Sequence, residues 1–210
     1  DNESYFDLPY ALFASEEEVQ LFCCQADVKG IVYGNETFRF QGSTLNLLGT
    51  AYSAGKLQIA GGDLHIAEKI ENASQIELPN YMTDILDNMK QNTGIEEIAE
   101  YNMANVTNPT ICKTTTRAWC NRVNIFADLV SNGDISFNAN VMTLGYKDPV
   151  IASENGDITI QATNVNGNGL IYAPNGTVTI NVCDFDYKGS IIAKKINIQA
   201  TYYQHKIEDK

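Results

Sequence analysis

The chain has 210 residues, 44% of them hydrophobic, which is enough for a single domain with one sizeable core. Fourteen Lys and Arg stand against 26 Asp and Glu, a net charge of -12 at pH 7, so the basic footprint that nucleic acid or an anionic membrane surface requires is missing. No run of 18 apolar residues and no signal peptide is visible, and the chain starts at Asp1 without a Met; we expect a processed piece whose targeting segment has been lost.

Taken in order, Asp1 to Ala11 carries Tyr5, Phe6, Leu8 and Tyr10. It is apolar enough to cap a first turn, with Pro9 opposing strand addition there. A period of 19 follows. Val19 and Leu21 precede Phe38 and Phe40 by 19 residues, which precede Leu57 and Ile59 by 19 again, while Leu45 and Leu47 precede Leu64 and Ile66 by the same step. Within each unit the pattern is apolar, polar, apolar, the alternation of a strand.

The period stops from about Ile70 to Arg122. Asn80 can cap a helix carrying Tyr81, Ile85, Leu86 and Met89. Thr93-Gly94-Ile95-Glu96 has the spacing of a capping box and suggests a second, shorter helix with Ile98 and Tyr101. Asn102 to Arg122, holding Asn105, Pro109, Cys112, Trp119 and Cys120, has no clean period and reads as loop. The insertion is expected to pack its apolar stripe on the rest of the protein, the alternative being a binding lid.

Beyond it the repeat returns with a step of 20. Ile158 and Ile160 recur as Val178 and Ile180, Asn155-Gly156 as Asn175-Gly176, and Gly169 as Gly189. Asp128 to Gly145, with Ile135 and Phe137, and Ser190 to Ile207 complete the set. Short strands with Gly, Asn and Ser at the corners cannot each bury an apolar face alone, but coiled with about 4.8 Å between turns they share one dry interior. The fold class is therefore all-β, a single-stranded parallel β-helix (solenoid) of about seven turns, expected to be right-handed. Residues 1–69 would be the cap and first three turns, 70–122 the insertion, and 123–210 the last four turns, one continuous domain with the first three. Lys69 should stack directly beneath Val123, and the C-terminal turn, with Tyr202, Tyr203 and Ile207, should be the open end.

Chemistry is sparse. The five cysteines form no CxxC, and His65 and His205 are far apart in sequence, so no zinc set and no Cys–His pair is indicated. Cys112 and Cys120 bracket seven residues and could pair in an oxidising compartment. Cys23 and Cys24 point to opposite sides of a strand, and Cys183 shares a column with Ser43 and Thr163. Glu16-Glu17-Glu18 reads as a solvated corner aligned with Gly34-Asn35-Glu36. Asp184 and Asp186 flank the inward Phe185 and share an outer face with Asn164, Asn166, Thr44 and Asn46, an outward polar ladder that could hold Ca²⁺ at the surface but makes no catalytic constellation. No catalytic, cofactor-binding or metal residue is assigned.

The string GLIYAPNGTVTINVCDFDYKGSIIAKKINI, from Gly169 to Ile198, with the opening Tyr10-Ala11-Leu12-Phe13-Ala14 and the unit GIVYGNETFRFQGSTLNLLG, resembles β-solenoid domains of secreted and surface proteins of Gram-positive anaerobes, some pilus-associated, and more distantly the bactofilins. The resemblance implies an extracellular setting at the cell surface, an anchor outside this chain, and no catalytic residues. The expected function is a non-enzymatic surface scaffold or adhesion module, mostly monomeric with weak end-to-end association. Surface glycans or other surface proteins are its expected partners, with no nucleic acid and no direct membrane contact. Carbohydrate binding or cleavage is the rival, kept open by Tyr33, Tyr52, Tyr172, Tyr202 and Tyr203; a self-assembling subunit, signalled by bare apolar end turns, is another.

Overall fold

The computed structural model describes residues 4–91, 96–98, 101–102 and 104–207. Its strands pair in parallel throughout, and they coil into a β-solenoid of about eight turns, or a rod of about 38 Å. Each turn has three sides. Tyr10–Ala14, Ile31–Gly34, Leu129–Ser131 and Val150–Ser153 stack on the first. Residues 19–23, 38–42 and 57–61 belong to the second, and 25–29, 44–47 and 63–66 to the third. Phe38, Phe40, Ile158, Ile160, Val178 and Ile180 all point into one core that joins both halves of the sequence, and Leu57 and Ile59 pack against it. Each such buried side chain contributes about 1.5–3 kcal/mol.

Corner glycines let the turns approach. Gly169 and Gly189 have positive φ (126° and 140°), and a Cβ on Gly189 would lie 1.9 Å from the Gly169 carbonyl oxygen. Only a residue without a Cβ fits that column.

The order of turns departs from the sequence expectation. Leu57–Ile70 pairs with Phe38–Ser53 and ends the rod, whereas Arg122–Ile125 pairs with 141–144 and with Asn105–Val106, so Lys69 does not stack beneath Val123. The two halves meet through their outer sequence ends instead. Ile196 to Lys206 run in register beside Val19 to Lys29, and Ile191 to Ala193 beside Leu12 to Ala14. The coil thus runs from residue 96 to 207, continues at Tyr10, and finishes at Ile70. The C-terminal turn is an interior turn, paired on both sides, and the open end lies at Leu57–Ile70.

The expected insertion is also shorter than 70–122. Glu96–Ile98, Tyr101–Asn102 and Asn105–Val106 pair with Thr110–Cys112, Thr116–Trp119 and Arg122–Ile125, so these residues are turns of the coil. A second helix is therefore absent at 96–98 and 101–102, which are strands; Thr93 to Ile95 lie outside the described residues. What remains outside the coil is a strap along the first side. Its helix α1, Met82–Lys90, has Tyr81 rather than the expected Asn80 as its N-cap residue; the Asn80 side chain, one residue further out, accepts from the Met82 amide at 2.9 Å. Met82, Ile85 and Met89 bury against a cluster containing Val130, Val150, Leu170 and Tyr172. Tyr5 and Leu8 join this cluster, and Asn88 donates to the Tyr5 hydroxyl at 2.6 Å. The N-terminal segment is thus a side packing rather than an end cap, because the turn it precedes is already covered by 191–206.

Candidate functional site

The three long sides offer different chemistry. On the first side the strap covers an aromatic stack in which Phe13 and Tyr33, and then Tyr33 and Tyr52, lie 5.4 Å apart. Asn35, buried at 2%, holds it. Its Nδ2 donates to the carbonyls of Ile76 (2.8 Å) and Ser15 (2.9 Å), and its Oδ1 accepts from the Ile76 amide at 3.0 Å. The Tyr33 hydroxyl donates to the Ser74 carbonyl, and that of Tyr172 accepts from the Tyr81 amide at 3.0 Å. Burial pushes the Tyr172 phenol up to about 12, so it stays protonated. The contact is filled under α1, but between 75 and 80 it opens into a cleft of about 560 Å³ lined by Glu16, Asn35, Glu77, Asn80, Tyr172 and Asn175. Its amides are largely spent on holding the strap.

The third side is charged. Asp184 and Asp186 stand exposed on either side of the buried Phe185, as the alternation predicts, and Asp186 shares a shallow groove with Asp27, Lys29 and Lys206. Among the described residues no group of three or more His, Cys, Asp or Glu is placed to hold a metal ion. Beneath this side lies a buried polar set. Tyr203 and Phe185 stack at 4.9 Å, and the His205 ring bridges the Tyr203 hydroxyl (2.7 Å) and the Gly189 carbonyl (2.6 Å). Desolvation lowers the His205 pKa to about 4, so the ring is neutral.

The second side carries a trough that follows the rod axis along the corner with the third. Its central part, about 570 Å³, is lined by thirteen residues, none of them Asp, Glu, Lys or Arg, in a chain of net charge -12. Alternation produces it: Ile135, Phe137, Ile158 and Ile160 point in, so Asn138 and Gln161 point out. Small corner residues, Ala139, Ala162 and Ala200, keep the floor low. The outward column runs Trp119, Asn138, Gln161, Asn181, Gln199, Phe22, with Trp119 paired to Asn138, Asn138 to Gln161, and Gln199 to Phe22. Some outward amides bond from turn to turn: Gln20 to Asn197 at 2.7 Å, Asn46 to Asp27 at 2.8 Å and, at the trough's edge, Asn140 to Asn121 at 2.5 Å. Among the described residues, the side-chain amides of Asn138, Gln161, Asn181 and Gln199 have no hydrogen-bonding partner. Aromatic rings bracket these four amides, and beyond Phe22 the column continues through Gln41 to Ala60. Trp119, 59% exposed, carries the Arg117 guanidinium 4.8 Å from its ring centre, and Phe22 carries that of Arg39 at 5.5 Å.

The tyrosines expected to present a platform do not line this trough. Tyr33, Tyr172 and Tyr203 are buried, Tyr52 is half-buried beside Tyr33, and Tyr202 is exposed on the third side. Cys112 and Cys120 are free thiols, the first buried in the core and the second at the trough corner, so no disulfide joins them. Cys23 is buried, with its thiol pushed up to about 12 by desolvation, while Cys24 and Cys183 are exposed. Sequence reading identified the Thr163–Cys183 column but missed the trough, whose concavity depends on alanines that carry no signal of their own. No known family model matches the chain, and no curated protein matches it significantly.

Proposed function

We propose that this protein is a non-catalytic scaffold or adhesion module working outside the cell, a stiff rod that engages its partner along its length. The observation that carries this reading is the second-side trough. Four successive side-chain amides face solvent without partners there, in an uncharged lining bracketed by two aromatic rings. Unspent amides in fixed register are ready to bind and cost little to order. The resemblance of the repeat to surface β-solenoid domains supports the extracellular setting. Two measurements test the proposal. Antibody raised against the protein should label intact cells of the producing organism, and protein-coated beads should attach to surfaces that the organism colonises. Asn181→Arg should abolish attachment while Asp184→Asn on the third side leaves it intact. Attachment no better than that of bare beads, or indifferent to Asn181→Arg, would refute the reading.

A second reading, self-assembly, is favoured by the open end. Phe38, Phe40, Leu45 and Leu47 are 0–1% exposed, yet their counterparts one turn on, Leu57, Ile59, Leu64 and Ile66, are partly exposed, with Leu64 at 37%. A further strand laid on this turn would cover them.

A further inference from the structure

We infer that the trough takes a neutral glycan chain lying parallel to the rod axis, an inference that rests on the adhesion reading and names its ligand class. Four features lead to it. First, the lining is uncharged within a strongly acidic molecule; an anionic polymer would be repelled by the whole, and a cationic one would find its counter-charges on the third side instead. Second, every partnerless group in the column is a primary amide, which offers two donors and an acceptor. That matches hydroxyl groups, which donate and accept equally. Third, the strand backbones here are already paired with turns above and below, so an extended peptide, whose own backbone needs a ladder, would find no edge. Fourth, Trp119 and Phe22 supply aromatic faces on either side of the four amides, each braced by an arginine on one face. The apolar face of a sugar ring can stack on such a surface. Five steps separate the rings, or about 24 Å, and the turn-to-turn spacing sets the rhythm at which successive residues of a polymer meet successive amides.

The experiment is calorimetric titration with uncharged oligosaccharides of glucose, mannose, galactose and N-acetylglucosamine, two to eight residues long, beside a uronic-acid hexamer and an uncharged extended peptide. At least one neutral series should bind, tightening with length up to about five residues and then levelling. Trp119→Ala and Phe22→Ala should each weaken binding about tenfold. Asn181→Arg should remove it. All three side chains face outward, so circular dichroism should remain that of the wild type. Binding of none of the neutral series, binding of the uronic-acid or peptide probe alone, or neutral binding unchanged in all three variants would each overturn the inference. If beads still attach in an Asn181-dependent way while every sugar fails, the adhesion reading stands and the glycan assignment falls.

Discussion

The Ile207 amide donates to the Lys29 carbonyl at 3.0 Å, and this bond fastens the last described residue onto the N-terminal strands. Gly30, next in the chain, sits between Ile207 and Ala11: a Cβ there would meet Ile207 Cγ2 at 3.0 Å and Ala11 Cβ at 3.3 Å. Residues 11 and 207 are therefore neighbours at one corner, in the middle of the rod.

A permuted chain should fold. If residues 207 and 10 are joined by a short Gly-Ser linker and new ends are opened within 92–95, every ladder is retained and the strap loses one tether. Far-ultraviolet dichroism and a cooperative melt like those of the parent are expected. A permuted protein that is unfolded at 25 °C would show that the seam cannot form without the parental order of synthesis and closure.

Asn35→Ala should release the strap without melting the rod. The substitution removes a buried amide and leaves the Ile76 amide and carbonyl to find water, at a cost of about 2 kcal/mol or more. Hydrogen exchange should accelerate over residues 74–90, while amides of 158–206 keep their protection. Uniform acceleration across both would mean that strap and coil open as one unit.

Acid should weaken the fold through His205. The ring has a pKa near 4 when folded against an ordinary value of 6.5, so between those values the unfolded chain binds the extra proton. Stability from this group is complete above pH 6.5 and is lost as pH falls towards 4, by about 3 kcal/mol. Urea titrations should show a smaller acid loss in His205→Gln than in the wild type over that window. Equal slopes in both proteins would remove His205 from the account.

Self-association, where present, should run through Leu57–Ile70. Sedimentation of the wild type at increasing concentration should show weak association, and Ile59→Lys should suppress it by placing a charge on the open turn. Association that survives Ile59→Lys would move the contact elsewhere.

The period was legible because inward pairs such as Ile158/Ile160 and Val178/Ile180 are large and β-branched. It faded over 110–119 because the inward positions there are Thr110, Cys112, Thr116 and Ala118, all buried yet too small or polar to read as a strand face. Stacking order was not legible at all. Val19 and Ile196 carry the same alternation as any other pair of turns, and a contact spanning 177 residues leaves no step in the sequence. Asn35 was aligned with a solvated corner, because nothing local shows that a strap 40 residues later will cover it.

The mid-rod seam also decides how the molecule would bear load. Were it pulled through its two chain ends, tension would enter beside Tyr10 and Ile207 and act on the contact between 19–29 and 196–206, leaving both rod tips outside the line of force. Ten paired residues along that contact, from Ile196 with Val19 to Lys206 with Lys29, would then be strained together instead of unzipping singly from a tip. A tether attached at its waist keeps both tips, and the whole length of the trough, free to meet what lies opposite.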